Sequence, residues 1–267
     1  MSYSLEKKLS IMGILNITPD SFYDGGKYTN TKNTLARVRE MLDQGVDIID
    51  IGAESTRPGS LPVSLDEELS RLIPVVSEIR KISKIPLSID TTKADVIQEL
   101  IQYEIQIIND ISAGSDNSMI KLAKDNNLYI SLMHMQKKPE TMQKEPTYKN
   151  VISEIYSYLS ERFQRCVDEG IDKNKIIIDP GFGFGKTIKH NYTILNNLKI
   201  FSDLTDNILV GISRKSMIGA VTSKEPSDRL YGSLAAETIS IINRAKILRV
   251  HDISETSVMI KTLEHLI

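Results

Sequence analysis

The chain has 267 residues, of which 40% are hydrophobic and 25% are charged, an ordinary composition for a globular protein. Its formal net charge of −2 offers no basic surface, so nucleic acid is excluded as a predicted partner. The polar first ten residues and the lack of an apolar run of about 20 residues predict neither a signal peptide nor a membrane-spanning helix, and therefore no membrane partner.

Short apolar runs rich in β-branched residues recur along the chain. In order, they cover residues 10–17, 47–52, 86–90, 106–110, 128–134, 175–179, 208–212 and 247–251. Their almost continuous apolarity predicts parallel strands that are buried on both faces.

Helical patterns fill the intervals between these runs. The segment 64–79 begins with Ser64 and Glu67 at the spacing of a capping box, which predicts a helix that starts there. Pro74 lies inside its apolar stripe and predicts a kink. An earlier helical pattern ends at Gly45, a residue suited to a C-terminal cap.

The helical segment 149–169 ends before Gly170 and carries the only cysteine, Cys166. Cys166 follows Ile155, Leu159 and Phe163 at helical spacing, which predicts a packed thiol and not a nucleophile. One cysteine cannot form an internal disulfide, and this indicates a reducing, cytoplasmic location.

Eight strands, each followed by a helix, within about 260 residues predict an α/β protein with the single-domain (β/α)8 TIM-barrel fold over residues 1–267. An open, doubly wound sheet uses the same alternation and is the alternative. The strand count and the absence of a natural linker favour the barrel.

In such a barrel the chemistry lies at the carboxyl ends of the strands. The predicted strands all end in polar or charged residues: Asn16; Glu54, Thr56 and Arg57; Asp90; Asn109 and Asp110; His134; Asp179; Ser213, Arg214 and Lys215; Arg249, His251 and Asp252. One such end is merely a strand that meets solvent, but eight in succession predict a binding site.

The stretch DPGFGFGKT, residues 179–187, resembles a phosphate-binding loop but matches neither common motif. In a Walker A motif the first glycine would fall at position 180, where Pro180 has no backbone N–H. In a dinucleotide fingerprint the third glycine would fall at position 186, which is a lysine.

The remaining interpretation of this stretch is a carboxylate, Asp179, followed by a flexible aromatic loop with Phe182 and Phe184. A carboxylate can accept two parallel N–H bonds from the amidine-like edge of a flat, nitrogen-rich ring. Asp90 and Asn109 offer further partners for ring nitrogens, and Lys215 could reach a ring carbonyl. The expected ligand is therefore a nitrogen heterocycle.

Arg249 and His251 are two residues apart on one predicted strand, so both side chains project to the same side. Such a cationic pair suits an anion, particularly phosphate. A salt-bridged barrel rim is the alternative explanation. Two predicted βα loops, 18–30 and 53–64, exceed the usual length of about 2–6 residues and are interpreted as binding loops.

These motifs together resemble the dihydropteroate synthases. The resemblance runs through the whole chain in the segments GILNITPDSFYDGG, DIGAESTRPG, SIDT, INDISAG, LMHMQ, DPGFGFGKT, GISRKS and RVHD. Each motif is moderately specific, whereas all eight in order are very specific. The family has a TIM-barrel fold, in agreement with the strand count.

The resemblance implies a transferase of folate biosynthesis. It would join 6-hydroxymethyl-7,8-dihydropterin diphosphate to p-aminobenzoate, releasing 7,8-dihydropteroate and diphosphate with Mg²⁺ as the cofactor. It would also be a sulfonamide target, because sulfonamides mimic p-aminobenzoate. The family often forms dimers, which implies a homodimer.

The resemblance also implies roles by motif position. Asp90, Asn109, Asp179 and Lys215 would hold the pterin, while Met133 and Phe184 are included among the substrate-contacting residues. Arg249 would lie against the ring and, with His251, hold the diphosphate. Asn16 would ligate Mg²⁺. Thr56, Arg57, Pro58 and Ser216 would shape the p-aminobenzoate pocket.

Two positions depart from the family pattern: Tyr23 replaces a small residue, and Lys137 replaces an expected glycine. Two alternative functions remain open from the sequence. A pterin-dependent methyltransferase domain shares the barrel and the pterin-binding carboxylates, but it has no diphosphate to hold. A non-catalytic pterin-binding paralogue is the other.

Overall fold

The structure is a computed structural model that describes residues 4–5, 7–17, 27–55, 60–137 and 141–266, with the backbone alone for residues 27–30. The predicted sites Thr56, Arg57 and Pro58 and the first-loop residue Tyr23 lie outside the described residues.

Eight parallel strands form the centre of the fold. They are β1 Ser10–Asn16, β2 Ile48–Gly52, β3 Leu87–Asp90, β4 Ile107–Asp110, β5 Tyr129–Met133, β6 Ile176–Asp179, β7 Leu209–Val210 and β8 Ile247–Val250. The strand order is β6-β5-β4-β3-β2-β1-β8-β7, and an isolated parallel bridge between Ile178 and Ile208 joins the two ends. The predicted (β/α)8 TIM barrel is confirmed.

The helices surround this sheet. They are α1 Lys27–Asp43, α2 Leu65–Ile82, α3 Ala94–Leu100, α4 Asn117–Asp125, α5 Val151–Asp168, α6 Ile188–Asn196, α7 Ser216–Thr222, α8 Leu230–Ile242 and α9 Ile253–Leu263. Every predicted strand exists, usually one residue shorter at an end. The seventh is only two residues long, and two helices, α7 and α8, follow it where the sequence pattern predicts one.

The inward-facing side chains follow the period of two that strands impose. A cluster of buried apolar side chains fills the barrel near the amino ends of the strands. Its members are Leu5, Met12, Ile48, Ile107, Tyr129, Ile177, Leu209 and Ile247. Two residues further along β4, β6 and β8 are Asn109, Asp179 and Arg249, which therefore face the same interior. A larger apolar cluster packs the outer face of the sheet against the helices.

Local signals in the sequence account for the helix ends. The Ser64 side chain caps α2 by accepting a hydrogen bond from the Glu67 backbone N–H at 3.3 Å. The Glu67 carboxylate pairs with Arg71 one turn later. The helix continues through Pro74 to its end at Ile82. Gly45 has φ +84°, the left-handed conformation of a C-terminal cap. Among the described helices, none is both long and apolar enough to cross a lipid bilayer.

Glu237 is a buried acidic residue on α8, and its carboxylate accepts a hydrogen bond of 3.1 Å from the Thr256 hydroxyl on α9. Burial raises the pKa of Glu237 from its ordinary value of 4.5 to about 7. The folded state then binds this proton more tightly than the unfolded state. Stability contributed by the protonated form is present at low pH and is lost as the pH rises to about 7.

We therefore expect Glu237→Gln to raise the free energy of unfolding at pH values above the pKa of Glu237, about 7. In acid the variant and wild type should have the same free energy of unfolding. The expected gain at alkaline pH is about 3 kcal/mol, the free-energy equivalent of the pKa shift. Urea unfolding of the variant and of wild type across this pH range measures it. The exposed Glu99→Gln makes the same change of charge and should show no such gain; equal stability of Glu237→Gln and wild type at alkaline pH would contradict the expectation.

Candidate active site

The carboxyl ends of the strands bring distant polar residues together. The register pairs Asp90 of β3 with Asn109 of β4, and Met133 of β5 with Asp179 of β6. All four are buried. The parallel strands end at the same mouth of the barrel, so residues far apart in the chain line one pocket.

Arg249 links two carboxylates across this pocket. Its Nε donates to Asp50 Oδ2 at 2.6 Å, and its Nη2 donates to Asp90 Oδ2 at 2.9 Å. The Asn109 amide also donates to Asp50 Oδ2, at 3.2 Å. Asp50 is fully buried, so these hydrogen bonds offset the cost of enclosing its charge.

Asp50 is absent from the set of site residues predicted from the sequence. It interrupts the apolar second strand two residues before Gly52, and its alternation places it inside the barrel with Ile48. The sequence feature that could have identified Asp50 is a carboxylate at an inward position of an otherwise apolar strand. Its partner Arg249 lies 199 residues away in sequence, a pairing that no local pattern indicates.

Burial and charge act against each other in this network. Burial raises the pKa of Asp90 to about 7, although the positive charge of Arg249 opposes the shift. Burial also disfavours the charged form of Arg249, but Asp50 and Asp90 outweigh it and raise the pKa of Arg249. Arg249 is therefore a permanent cation within this network.

Asp179, at the end of β6, and Lys215, immediately before α7, belong to the same mouth of the barrel. The Asp179 carboxylate accepts a hydrogen bond of 2.7 Å from the Gly181 backbone N–H. Burial raises the pKa of Asp179, and the neighbouring Lys215 opposes that shift. Burial lowers the pKa of Lys215 to about 8, with Asp179 acting in the opposite direction.

Lys215 also contacts the aromatic loop that follows β6. Its ammonium donates to the Phe182 carbonyl and lies 4.6 Å from the centroid of the Phe184 ring. A cation at this distance from an aromatic face is attracted by the ring quadrupole. The half-buried Phe184 ring thus forms an apolar wall beside a donor, which suits one face and one edge of a flat heterocycle.

The glycines of this loop permit close backbone packing. Gly181 has φ +71°, and a Cβ there would lie 2.0 Å from the His134 carbonyl oxygen. Gly185 has φ +63°, and its Cβ would lie 2.7 Å from the Gln136 carbonyl oxygen. The loop therefore needs glycine because it lies against the segment after β5, a reason unrelated to phosphate binding.

His251 and Asn16 occupy other parts of the rim. His251 follows the last residue of β8 and is exposed, with its Nδ1 at 3.3 Å from the Ser213 hydroxyl. A Cβ placed on Gly52 would meet Asp90 Oδ2 at 3.6 Å and Asn16 Oδ1 at 3.7 Å. Asn16 and Asp90 therefore present oxygen atoms to the same corner. Ser216 is exposed at the first turn of α7.

Several predicted strand ends serve the scaffold. Asp110 accepts backbone hydrogen bonds from Ser112 and Gly114 and so shapes its own loop. Arg214 and Asp252 form a two-bond ion pair that ties the end of β7 to that of β8. Lys137 has φ +66°, the left-handed conformation that favours glycine, so the family pattern of glycine here has a backbone cause.

A polar mouth with a carboxylate, an amide, a lysine and an aromatic wall, built on a (β/α)8 barrel, is suited to an enzyme that binds a nitrogen heterocycle. A family model described as "Pterin binding enzyme" matches residues 12–251. The dihydropteroate synthase of Escherichia coli K12 is 45% identical over 254 residues, covering 95% of this chain and 90% of that protein. The chain belongs to the dihydropteroate synthase family, and it is a transferase.

Solved structures of dihydropteroate synthases are similar to this chain over almost its whole length. The Yersinia pestis dihydropteroate synthase in a sulfonamide drug complex has a TM-score of 0.92 and 41% identity, covering 99% of this chain and 96% of that one. The Xanthomonas albilineans enzyme with 4-aminobenzoic acid has a TM-score of 0.91 and 36% identity, covering 98% and 94% of the two chains.

Proposed function

We propose that the protein condenses 6-hydroxymethyl-7,8-dihydropterin diphosphate with p-aminobenzoate and releases 7,8-dihydropteroate and diphosphate. The whole chain, residues 1–267, would act as one pterin-binding domain. The observation that supports this most is the convergence of Asp179, Asn109, Lys215 and Arg249 on one mouth of the barrel, in a chain of the dihydropteroate synthase family.

The pterin ring would lie between Asp179 and Asn109. The Asp179 carboxylate, oriented by the Gly181 N–H, would accept parallel hydrogen bonds from the amino and ring N–H groups. Asn109 and Asp90 would face other ring nitrogens, and Lys215 would donate to the ring carbonyl. Met133 and Phe184 would cover the faces of the ring.

The diphosphate would extend toward the cationic side of the pocket, with Arg249 and His251 as its protein partners. Thr56, Arg57, Pro58 and Ser216 would bound the p-aminobenzoate pocket. Of these, Ser216 is exposed at the amino end of α7, next to Lys215, so the two substrate pockets would adjoin at this point.

Mg²⁺ suits the oxygen donors of the rim. This ion usually takes one or two protein oxygens and completes its shell with water and substrate phosphates. Within the described ranges, no group of three or more acidic, histidine or cysteine side chains could hold a metal on its own. The amide oxygen of Asn16, in the corner with Asp90, fits an ion shared with the diphosphate. When bound, Mg²⁺ supplies positive charge that favours diphosphate departure.

The residues of the pocket suit a dissociative reaction. The positive charge of Arg249 would stabilise the leaving diphosphate as the C–O bond breaks. Desolvation and then Arg249 lower the pKa of His251 to about 4, so His251 would donate to the diphosphate as a neutral imidazole. The cation left on the methylene carbon is conjugated with the electron-rich dihydropterin, and the carboxylates of Asp90 and Asp179 favour it electrostatically. The arylamine then attacks this carbon and loses a proton. Cys166 takes no part; it is buried, and burial raises its pKa to about 11.

We further propose a cytoplasmic homodimer. The free Cys166 suits a reducing compartment. On α8, Tyr231, Ile239 and Ile242 are exposed at helical spacing, and Tyr231 is 82% exposed. An exposed apolar stripe of this kind is typical of a helix that packs against a partner. Analytical ultracentrifugation tests the dimer: wild type should sediment as a dimer and Ile242→Glu as a monomer, whereas a monomeric wild type contradicts it.

The central experiment is turnover by the purified protein. With the dihydropterin diphosphate, p-aminobenzoate and Mg²⁺, we expect dihydropteroate and diphosphate in equal amounts. A sulfonamide should raise the KM for p-aminobenzoate without changing kcat. Failure to release diphosphate, together with methyl transfer from an added N-methylated pterin, would instead support the methyltransferase alternative. Tight pterin binding without any turnover would support a non-catalytic paralogue.

The charge of Lys215 predicts how binding depends on pH. Because its pKa is about 8, raising the pH through this value removes a cation beside the pterin and near the diphosphate. We expect wild-type affinity for the dihydropterin diphosphate to decline between about pH 7 and about pH 9, by roughly tenfold.

Isothermal titration calorimetry of wild type, Lys215→Met and Lys189→Met separates this effect from titration of the ligand. Lys189 is exposed on α6, so Lys189→Met should follow the wild-type curve. Lys215→Met should bind more weakly at every pH and lack the decline. A decline of the same size in Lys215→Met would assign it to another group.

A further inference from the structure

Lys186 is a buried lysine at the end of the glycine loop, only 3% exposed. Its ammonium lies 3.0 Å from the His134 Nδ1 atom, and it donates to the His134 carbonyl at 3.2 Å and to the Phe184 carbonyl at 3.0 Å. A lysine is rarely enclosed in this way unless its donors are satisfied. The proposed reaction gives Lys186 no role.

The contacts of Lys186 join two segments of the chain. His134 and Gln136 belong to the segment that follows β5, whereas Phe184 belongs to the loop that follows β6. Across the same junction, the Tyr148 hydroxyl donates to the Gly185 carbonyl at 2.9 Å, and the Gln143 side chain donates to the Gly183 carbonyl. Of these three side chains, Lys186 is the one that donates to a carbonyl in each segment, that of His134 and that of Phe184.

The Lys186 side chain can donate to both carbonyls whether it is charged or neutral. Burial lowers the pKa of Lys186 well below its ordinary value, and the nearby Asp179 opposes the shift. Burial, and to a smaller extent the charge of Lys186, lower the pKa of His134 to about 3. The imidazole is therefore neutral. A neutral imidazole nitrogen can accept from an ammonium or donate to an amine; in both cases Lys186 keeps hydrogens for the two carbonyls.

The loop held by Lys186 carries the contacts of the pterin side of the pocket. Phe182 supplies the carbonyl that accepts from Lys215, and the Phe184 ring lies against the Lys215 ammonium. The Gly181 N–H orients the Asp179 carboxylate. A shift of the Phe184 carbonyl would therefore move both the aromatic wall and the lysine that lies against it.

We propose that Lys186 is a positioning residue for the pterin pocket: by bridging the His134 and Phe184 carbonyls, it holds the glycine loop so that Asp179, Phe184 and Lys215 keep the geometry that binds the ring. This inference rests on the proposed function. It assigns Lys186 no contact with either substrate. Loss of Lys186 should therefore weaken pterin binding while sparing the p-aminobenzoate pocket, which is formed by other loops.

The test compares Lys186→Met with the exposed Lys189→Met, which makes the same substitution three residues later. For Lys186→Met we expect the Kd and KM of the dihydropterin diphosphate to rise by about tenfold or more, the consequence of losing the buried hydrogen bonds to the His134 and Phe184 carbonyls. The KM for p-aminobenzoate, measured at saturating pterin, should stay within about twofold, a change of negligible free energy. Lys189→Met should match wild type in both.

Chemical rescue provides a second measurement. Lys186→Ala removes three side-chain carbons and the amine, which n-propylamine matches in size. Added n-propylamine should restore pterin affinity to Lys186→Ala, whereas tetramethylammonium at the same ionic strength should not. Recovery would show that the hydrogen-bonding amine, and not the alkyl packing alone, maintains the pocket.

If the Lys186 variants do not fold, Tyr148→Phe supplies the test, because it removes the neighbouring bond to Gly185. It should raise the KM for the pterin substrate by about threefold, as expected for one neutral hydrogen bond. The inference is overturned if the folded variants match Lys189→Met, or if both KM values rise equally. A wild-type protein that neither binds pterin nor turns over would instead overturn the proposed function.

Discussion

Replacement of Asp179 by alanine is expected to abolish measurable pterin binding in the micromolar range. The carboxylate would accept two charge-assisted hydrogen bonds from the pterin edge, each worth about 1.5–3 kcal/mol in a buried site. Their loss corresponds to a decrease in affinity of about 10²- to 10⁴-fold. Titration of the dihydropterin diphosphate into wild type and Asp179→Ala by calorimetry measures the effect.

Two controls sharpen this expectation. Asp179→Asn keeps the shape of the side chain but offers an amide N–H toward ring donors, so its affinity should also fall steeply. Asp125→Ala changes an exposed carboxylate at the end of α4 and should bind like wild type. Pterin affinity within about twofold of wild type in a folded Asp179→Ala, less than one neutral hydrogen bond contributes, would remove Asp179 from the pocket.

Replacement of Arg249 by methionine is expected to lower kcat/KM by about 10²- to 10³-fold, the range seen when one preorganised donor to a developing negative charge is removed. The reason is the loss of the cation that faces the leaving diphosphate. Rapid-quench measurement of diphosphate release follows the step directly. Turnover by purified Arg249→Met at the wild-type rate would show that the anion binds elsewhere.

Stability is a second consequence of removing Arg249, because Asp50 and Asp90 then lose the partner that donates to both. Removing one partner of a buried ion pair costs about 3–5 kcal/mol. The double variant Asp50→Asn/Arg249→Met should recover part of this stability, since it removes one uncompensated buried charge. It should not recover turnover. Recovery of both would mean that Arg249 has a purely structural role.

Much of the fold could be predicted because its signals are local. Parallel strands buried on both faces need continuous apolar runs, and those runs located all eight strands to within a few residues. Ser64 and Gly45 marked a helix start and a helix end through their own backbone preferences. The seventh strand is shorter than its apolar run, because only Leu209 and Val210 pair with β8.

The candidate site was predictable in part for the same reason. The carboxyl ends of parallel strands share one edge, so Asp90, Asn109 and Asp179 could be grouped without coordinates. The roles given to these residues, and to Thr56, Arg57 and Pro58 outside the described residues, stay proposals. Lys186 escaped notice because a lysine after a glycine loop has the appearance of a phosphate ligand or an exposed residue until its burial is known.

The sequence by itself determined the order of the strands, the family and the residue types at the mouth of the barrel, because periodicity, chain order and motif spacing are properties of neighbouring residues. Only the tertiary structure decided which charges compensate each other. The pairing of Arg249 with Asp50 and Asp90 joins residues 199 and 159 positions apart, and the bonds of Lys186 to His134 span 52. Barrel closure brings these groups within hydrogen-bond distance, and burial then makes each partner necessary.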